Sequence, residues 1–301
     1  MIALSLCSAM NSKFLFLAIF LGICFPSGYI FAVAIKYIVM AMLFFAFLDL
    51  EFKLRSSFYR QAIVILSTMF LLAFSLFFIL RTFDFQLALI SFMLAISPTA
   101  AAAPVVIKLI QGNVEYAAYS VLTSNTIVSL CIPLLIPLIA HQEVQVSVPT
   151  LLTSISTIVY LPLIVSQIIK RVLPLGITAV FLNLKSLSFY LWMILLYIVT
   201  AKSTHYIWFE SQISVLYLLK IALISFLVCL INFSTGRLLG RSKFLREASQ
   251  CLGQKNTAFT IGICLQTFDP SVALGPMFYI IFQNLYNSFL ISTEQRKRAF
   301  H

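Results

Sequence analysis

The chain has 301 residues, of which 61% are hydrophobic and 10% charged, and its net charge is +11. Its mean hydropathy is +1.04. Soluble domains hold about half apolar residues and about a quarter charged ones, so a water-soluble fold is excluded, and the basic residues sit in short caps between apolar runs, where they set membrane topology rather than hold nucleic acid.

The apolar runs are long and unbroken, as in AIVILSTMFLLAFSLFFIL, and lack the alternation of a membrane β-barrel. Helices satisfy their own backbone in lipid, so the runs read as spanning helices. Taken in order, spans are expected near 14–26, 28–49, 58–80, 85–111, 114–140, 148–169, 177–201, 211–236, 244–267 and 270–293. The first follows Lys13 and resembles a signal peptide, but no small-x-small cleavage site follows, so it is expected to be retained. The whole of 1–301 reads as one transmembrane domain.

Charge placement supports this series. With the N-terminus in the cytoplasm, the cytoplasmic segments hold Lys13, Lys53, Arg55, Arg60, Lys170, Arg171 and Lys185. They also hold Arg237, Arg241, Lys243, Arg246, Arg296, Lys297 and Arg298. The outer loops hold Arg81 and Lys202 beside the acidic Asp84, Glu143, Glu210 and Asp269. This asymmetry predicts a multi-pass inner-membrane (plasma-membrane) protein with both termini cytoplasmic.

Two spans are interrupted. The fourth carries SPTAAAAP, Ser97 to Pro104, and the ninth carries SQCLGQKNT, Ser249 to Thr257. Proline removes a donor and clashes with the carbonyl four residues back, so Pro98 and Pro104 should free carbonyls near Leu94 and Ala100. Gly253 adds a flexible point beside polar residues. These are the fourth span of each five-span half, and an odd number of spans inverts one half against the other. The expected fold is therefore an all-α membrane protein of about ten helices. Two inverted five-helix repeats, approximately 14–140 and 148–293, carry two broken helices.

Polar residues elsewhere are sparse. Thr123, Ser124 and Asn125 lie in the fifth span, and Gln283, Asn284 and Asn287 in the tenth. Interhelical hydrogen bonding and site lining are both open readings for them. Gly236 and Gly240 form a G-x-x-x-G suited to close helix packing. The six cysteines show no disulfide or zinc spacing.

The stretch SPTAAAAPVVIKLIQGNVEYAAYSVLTSNTIVSLCIPLLIP resembles the fourth and fifth helices of the bile acid:sodium symporter family. The features are a proline and small-residue break, a turn at Gly112–Asn113, and a helix ending in Pro133 and Pro137. CLGQKNTAFTIGICLQTF is similar to its ninth helix, with Gly253, Gln254, Lys255 and Asn256 at the break, and FYIIFQNLYNSFLI to its tenth. MAMLFFAFLDLEFK is similar to the end of the second helix in bacterial members. The resemblance implies a panel domain and a core domain, with the two broken helices crossing in the core. It also implies organic-anion substrates such as bile-salt-like or small carboxylate compounds. Sodium-coupled members place Ser-Asn where Ala103 and Pro104 stand, an acidic residue where Cys251 stands, and a glutamine where Lys255 stands. The resemblance thus carries the fold across and questions sodium coupling.

A lysine deep in a span costs about 2.5–3.5 kcal/mol on insertion scales. Lys255 sits at a break beside Gln254, Asn256 and Thr257, with no carboxylate evident at its depth. It can replace the sodium charge, pair with an anionic substrate, or exchange a proton and make the proton the coupling ion. Alternatively it simply reaches a backbone carbonyl or the surface. The reading adopted is a fixed cation that helps hold a small organic anion, aided by half-helix N-termini. The candidate substrate and ion site is Ser97, Thr99, Thr123, Ser124 and Asn125 from the first half. From the second half it takes Cys251, Gln254, Lys255, Asn256, Thr257, Asn284 and Asn287.

Other classes fit less well. The histidines are His141, His205 and His301, and neither H-E-x-x-H nor a P-loop occurs, so an enzyme, a metal centre and a cofactor are not expected. A metalloid efflux carrier would want a cysteine in the fourth helix, whereas Cys251 and Cys264 sit in the ninth. A sodium/proton antiporter would want midplane acids. A receptor or scaffold would have no need of broken helices.

Overall fold

The computed structural model describes residues 17–48, 58–100, 102–140, 148–172, 187–210, 213–241 and 243–299. Lys13, Lys53, Arg55, Glu143, Lys185, His141 and the start of the seventh expected span lie outside these residues.

Among the described residues the secondary structure is helical. Helix α1 covers 17–24, and a 3₁₀ stretch, Pro26–Val33, leads into α2, Ala34–Leu48. There follow α3 (Tyr59–Leu80), α4 (Phe85–Ile96), α5 (Ala103–Leu109), α6 (Val114–Ala140) and α7 (Val148–Val172). The remainder are α8 (Leu187–His205), α9 (Val215–Gly240), α10 (Leu245–Gly253), α11 (Thr257–Thr267) and α12 (Pro270–Ala299). Pro26–Phe45, Tyr59–Leu80, Val114–Ile139 and Val215–Gly240 are long and apolar enough to cross a membrane. Large apolar side chains such as Leu71, Phe78, Leu134 and Leu219 are exposed, which suits lipid and not water.

The chain forms two compact units, each assembled from separate stretches of sequence. The first takes residues 1–50, 129–213 and 261–270. Here α1 meets α8 closely: a Cβ on Gly22 would lie 2.6 Å from Thr200 Cβ. Tyr29 stacks on His205 with ring centroids 3.8 Å apart, and Tyr160 Oη donates to Leu130 O. Tyr206 Oη donates to the Asp269 carboxylate.

The second unit takes residues 51–128, 214–260 and 271–301. Asp84 caps α4 by accepting from Leu87 N at 2.9 Å, and both of its oxygens accept from Tyr217 Oη. Helices α9 and α10 pack backbone to backbone, because a Cβ on Gly236 would lie 2.4 Å from Ala248 O and one on Gly240 2.8 Å from Leu245 N. This is the close packing expected of the G-x-x-x-G. The start of α10 is tied to the α5–α6 connection: Arg246 donates to Ile110 O, and Glu247 Oε1 accepts from Asn113 N at 2.6 Å. In that connection Gln111 takes the left-handed backbone, with φ 58°, and no glycine among the described residues has positive φ. Phe58, Ile65, Met69, Tyr116, Cys251 and Leu252 form an apolar core beneath it.

Candidate functional site

Both interruptions lie in the second unit, and they meet. Thr99 and Lys255 form an antiparallel bridge, in which Ala100 N donates to Gln254 O at 2.9 Å and Asn256 N to Pro98 O at 2.8 Å. Each break thus supplies the backbone partners that the other has lost. Unpaired backbone groups inside a membrane are costly, so every freed group calls for such a partner.

The remaining groups follow the same rule. Pro98 has no N–H to donate. In an unbroken helix Thr99 N would donate to Ala95 O; instead it donates to Ser124 Oγ at 3.0 Å, and Ala95 O accepts from Lys255 Nζ at 2.7 Å. Across the bridge, Lys255 N would donate to Cys251 O. It donates instead to Gln283 Oε1 at 3.0 Å, and Cys251 O accepts from Thr99 Oγ1 at 2.6 Å. Gly253 O accepts from Tyr279 Oη at 2.7 Å.

Pro104 plays a different part from the one expected. It occupies the first turn of α5, where a missing N–H costs nothing, and Ala100 O accepts from Ala103 N. The first interruption therefore centres on Pro98. Gly253 is also used differently: its φ is not positive, and a Cβ there would lie 2.2 Å from Phe233 Cδ1. Space against α9, not backbone flexibility, demands glycine.

Polar side chains close around the bridge. Asn125 Nδ2 donates to Thr99 O at 2.8 Å and to Val121 O, and its Oδ1 accepts from Asn256 Nδ2 at 3.3 Å. Asn256 Oδ1 accepts from Phe259 N and so caps α11. Ser97 Oγ lies 2.6 Å from Thr260 Oγ1, and both hydroxyls reach the Asn256 carbonyl. Lys255 is 1% exposed, and its ammonium stands at the C-terminal turn of α4, where the helix dipole is negative.

Of the residues singled out in the sequence, Ser97, Thr99, Ser124, Asn125, Cys251, Lys255 and Asn256 fall into this one network. Thr257 is buried at the start of α11, its N–H donating to Lys255 O. Gln254 is buried in the second break, where its carbonyl joins the bridge, and Asn287 is buried on α12 one turn beyond Gln283, while Thr123 and Asn284 are half-buried and make no side-chain hydrogen bond among the described residues. Thr260 and Tyr279 were not singled out. Spacing could have found both, since Thr260 lies one turn beyond Asn256 and Tyr279 one turn before Gln283. Among the described residues no cluster of histidine, cysteine and acidic side chains could hold a metal ion.

No curated protein matches the chain. The sequence model of the sodium bile acid symporter family matches residues 26–210. This match takes in the first interruption and ends before the second. With more than half of its residues matched and an all-helical, lipid-suited structure, the chain belongs to the sodium bile acid symporter family, as a multi-pass membrane transporter of that kind.

Proposed function

We propose that the chain is a secondary active transporter of small organic anions in which Lys255 replaces the coupling sodium ion. One observation carries the reading: a lysine ammonium, 1% exposed, is fixed by a 2.7 Å hydrogen bond at the C-terminal turn of α4, beside the crossing of two broken helices. Broken helices at the midplane are where secondary transporters hold ions and substrates. The positive charge offsets the negative end of α4, a task an inorganic cation can also perform. At the same time Cys251 stands where sodium-coupled relatives carry an acid, and it is buried among Tyr116, Ala248 and Leu252. Asn256 Nδ2 keeps a second proton beyond the one it gives to Asn125, and the dipole of α11 adds positive potential for an anionic group.

The arrangement of the chain in two inverted repeats and ten spans is part of this proposal. Each compact unit draws on both halves of the sequence. The first takes the opening two expected spans and the sixth and seventh, and the second takes the third, fourth, eighth and most of the tenth. That pairing supports equivalent roles for matching spans. Both termini are assigned to the cytoplasm, and the host membrane to the inner membrane, from the charge asymmetry.

The test is uptake of cholate and small carboxylates by purified protein in liposomes. Lys255→Met is expected to abolish uptake. Unchanged uptake in that variant would overturn the role of the lysine.

A further inference from the structure

Helix α12 is joined at two points to α10 and to the break that follows it. Gln283 Oε1 accepts from Lys255 N at 3.0 Å, and Arg246 Nη2 pairs with Glu294 Oε2 at 3.0 Å. Gln283, Asn287 and Glu294 share one face of α12, at i, i+4 and i+11. Arg246 and Gln250 share one face of α10, at i and i+4, and Gln254 follows as the extended residue that ends the helix. Asn287 therefore lies between the two joins along α12, and Gln250 and Gln254 lie between them along the facing segment.

Three amides along these faces carry buried atoms without a partner among the described residues. Gln250 is 0% exposed, and neither atom of its amide has a partner among the described residues. Gln254 Oε1 and Asn287 Oδ1 are also buried without partners. A buried unpartnered polar group costs about 1–3 kcal/mol, so leucine at any of these positions would be cheaper than a dry amide. A cation is a poor occupant, because Lys255 and Arg246 place positive charge at both ends and Glu294 is already paired. Water matches amides, since it donates and accepts and needs two to four polar partners. At its Arg246 end the seam meets a cavity of about 380 Å³, lined by Arg237, Arg246, Ser249, Tyr286 and Glu294 among others.

We propose that the seam between α10 and α12 is a water-filled branch running from the helix crossing to this cavity, with the Arg246–Glu294 pair at its mouth. The branch brings solvent to the crossing from the end of the protein where α12 finishes. Its existence does not depend on what is transported.

The test is labelling of Asn287→Cys in the full chain in nanodiscs with a charged, membrane-impermeant methanethiosulfonate, the labelled position being located by mass spectrometry. Thiols react as thiolates, which need an aqueous setting. Leu290→Cys, in the cavity, is the wet control, and Ile280→Cys, at a position 1% exposed on the same helix, is the dry one. Asn287→Cys is expected to label within about ten-fold of the wet control, and Glu294→Gln to speed it about ten-fold by opening the mouth. Labelling as slow as the dry control, with silver ion as the smaller probe giving the same result, would overturn the proposal. Asn287→Leu gives an independent reading: a lower Tm fits water stranded in the seam, and a higher Tm means that the seam is dry. Labelling is read without substrate, so its failure is distinct from a failure of the transport reading.

Discussion

The Lys255 ammonium donates to the carbonyl of Ala95 at 2.7 Å, from the break of one interrupted helix to the last turn of the other. The bond exists because Thr99 N has turned away to Ser124 and left that carbonyl open. Removing the ammonium strands the carbonyl as well as deleting the charge. Lys255→Met is therefore expected to destabilise the protein by about 1–3 kcal/mol, seen as a lower Tm in detergent.

Charge and hydrogen bond can be separated by rebuilding the pattern of sodium-coupled relatives. Lys255→Gln combined with Cys251→Glu removes the fixed cation and supplies an acid beside the crossing. The double variant is expected to transport only with sodium, and the unaltered chain without it. Uptake as a function of external sodium reads the difference.

Thr99 tests the mutual repair of the two breaks. Its hydroxyl donates to Cys251 O, and both groups are buried. Thr99→Val keeps the shape and loses the donor, with an expected cost of about 1–3 kcal/mol. Thr99→Ser should cost clearly less. Thermal unfolding of the two variants side by side checks the order.

Gly253→Ala would push a methyl to within 2.2 Å of the Phe233 ring. Overpacking of this kind costs about 1–3 kcal/mol. The smaller Phe233→Leu should recover part of the loss when combined with it. Recovery in the double variant, read from Tm, distinguishes a space requirement from a flexibility requirement at this glycine.

Asp84 both caps α4 and accepts from Tyr217. Asp84→Ala is expected to cost about 0.5–2 kcal/mol through the cap alone. A double-mutant cycle with Tyr217→Phe should show a coupling of about 0.5–3 kcal/mol, as neighbours in one network do. Additive effects would mean that the tyrosine bond contributes nothing.

Much of the helical layout was legible in the sequence. Val114–Ala140 begins and ends where its apolar run does, and the fourth and ninth expected spans each divide into two helices at the polar stretch that marked them. The existence of each break was readable because proline and polar residues interrupt apolar runs. The way each break is repaired was not, since it depends on partners far along the chain, such as Thr99 with Cys251 and Lys255 with Ala95. The roles of Pro104 and Gly253 escaped for a related reason. A proline that starts a helix and one that breaks it look alike in sequence, and a glycine needed for space looks like one needed for a turn. The unpartnered amides of Gln250 and Asn287 carry no sequence signal beyond their polarity.

The central claim is that Lys255 stands in for a coupling ion. It is tested most directly by uptake of organic anions into liposomes under an imposed sodium gradient, an imposed proton gradient, or neither. Uptake that does not respond to sodium and is lost in Lys255→Met is expected. Uptake driven by the sodium gradient in the unaltered chain would contradict it.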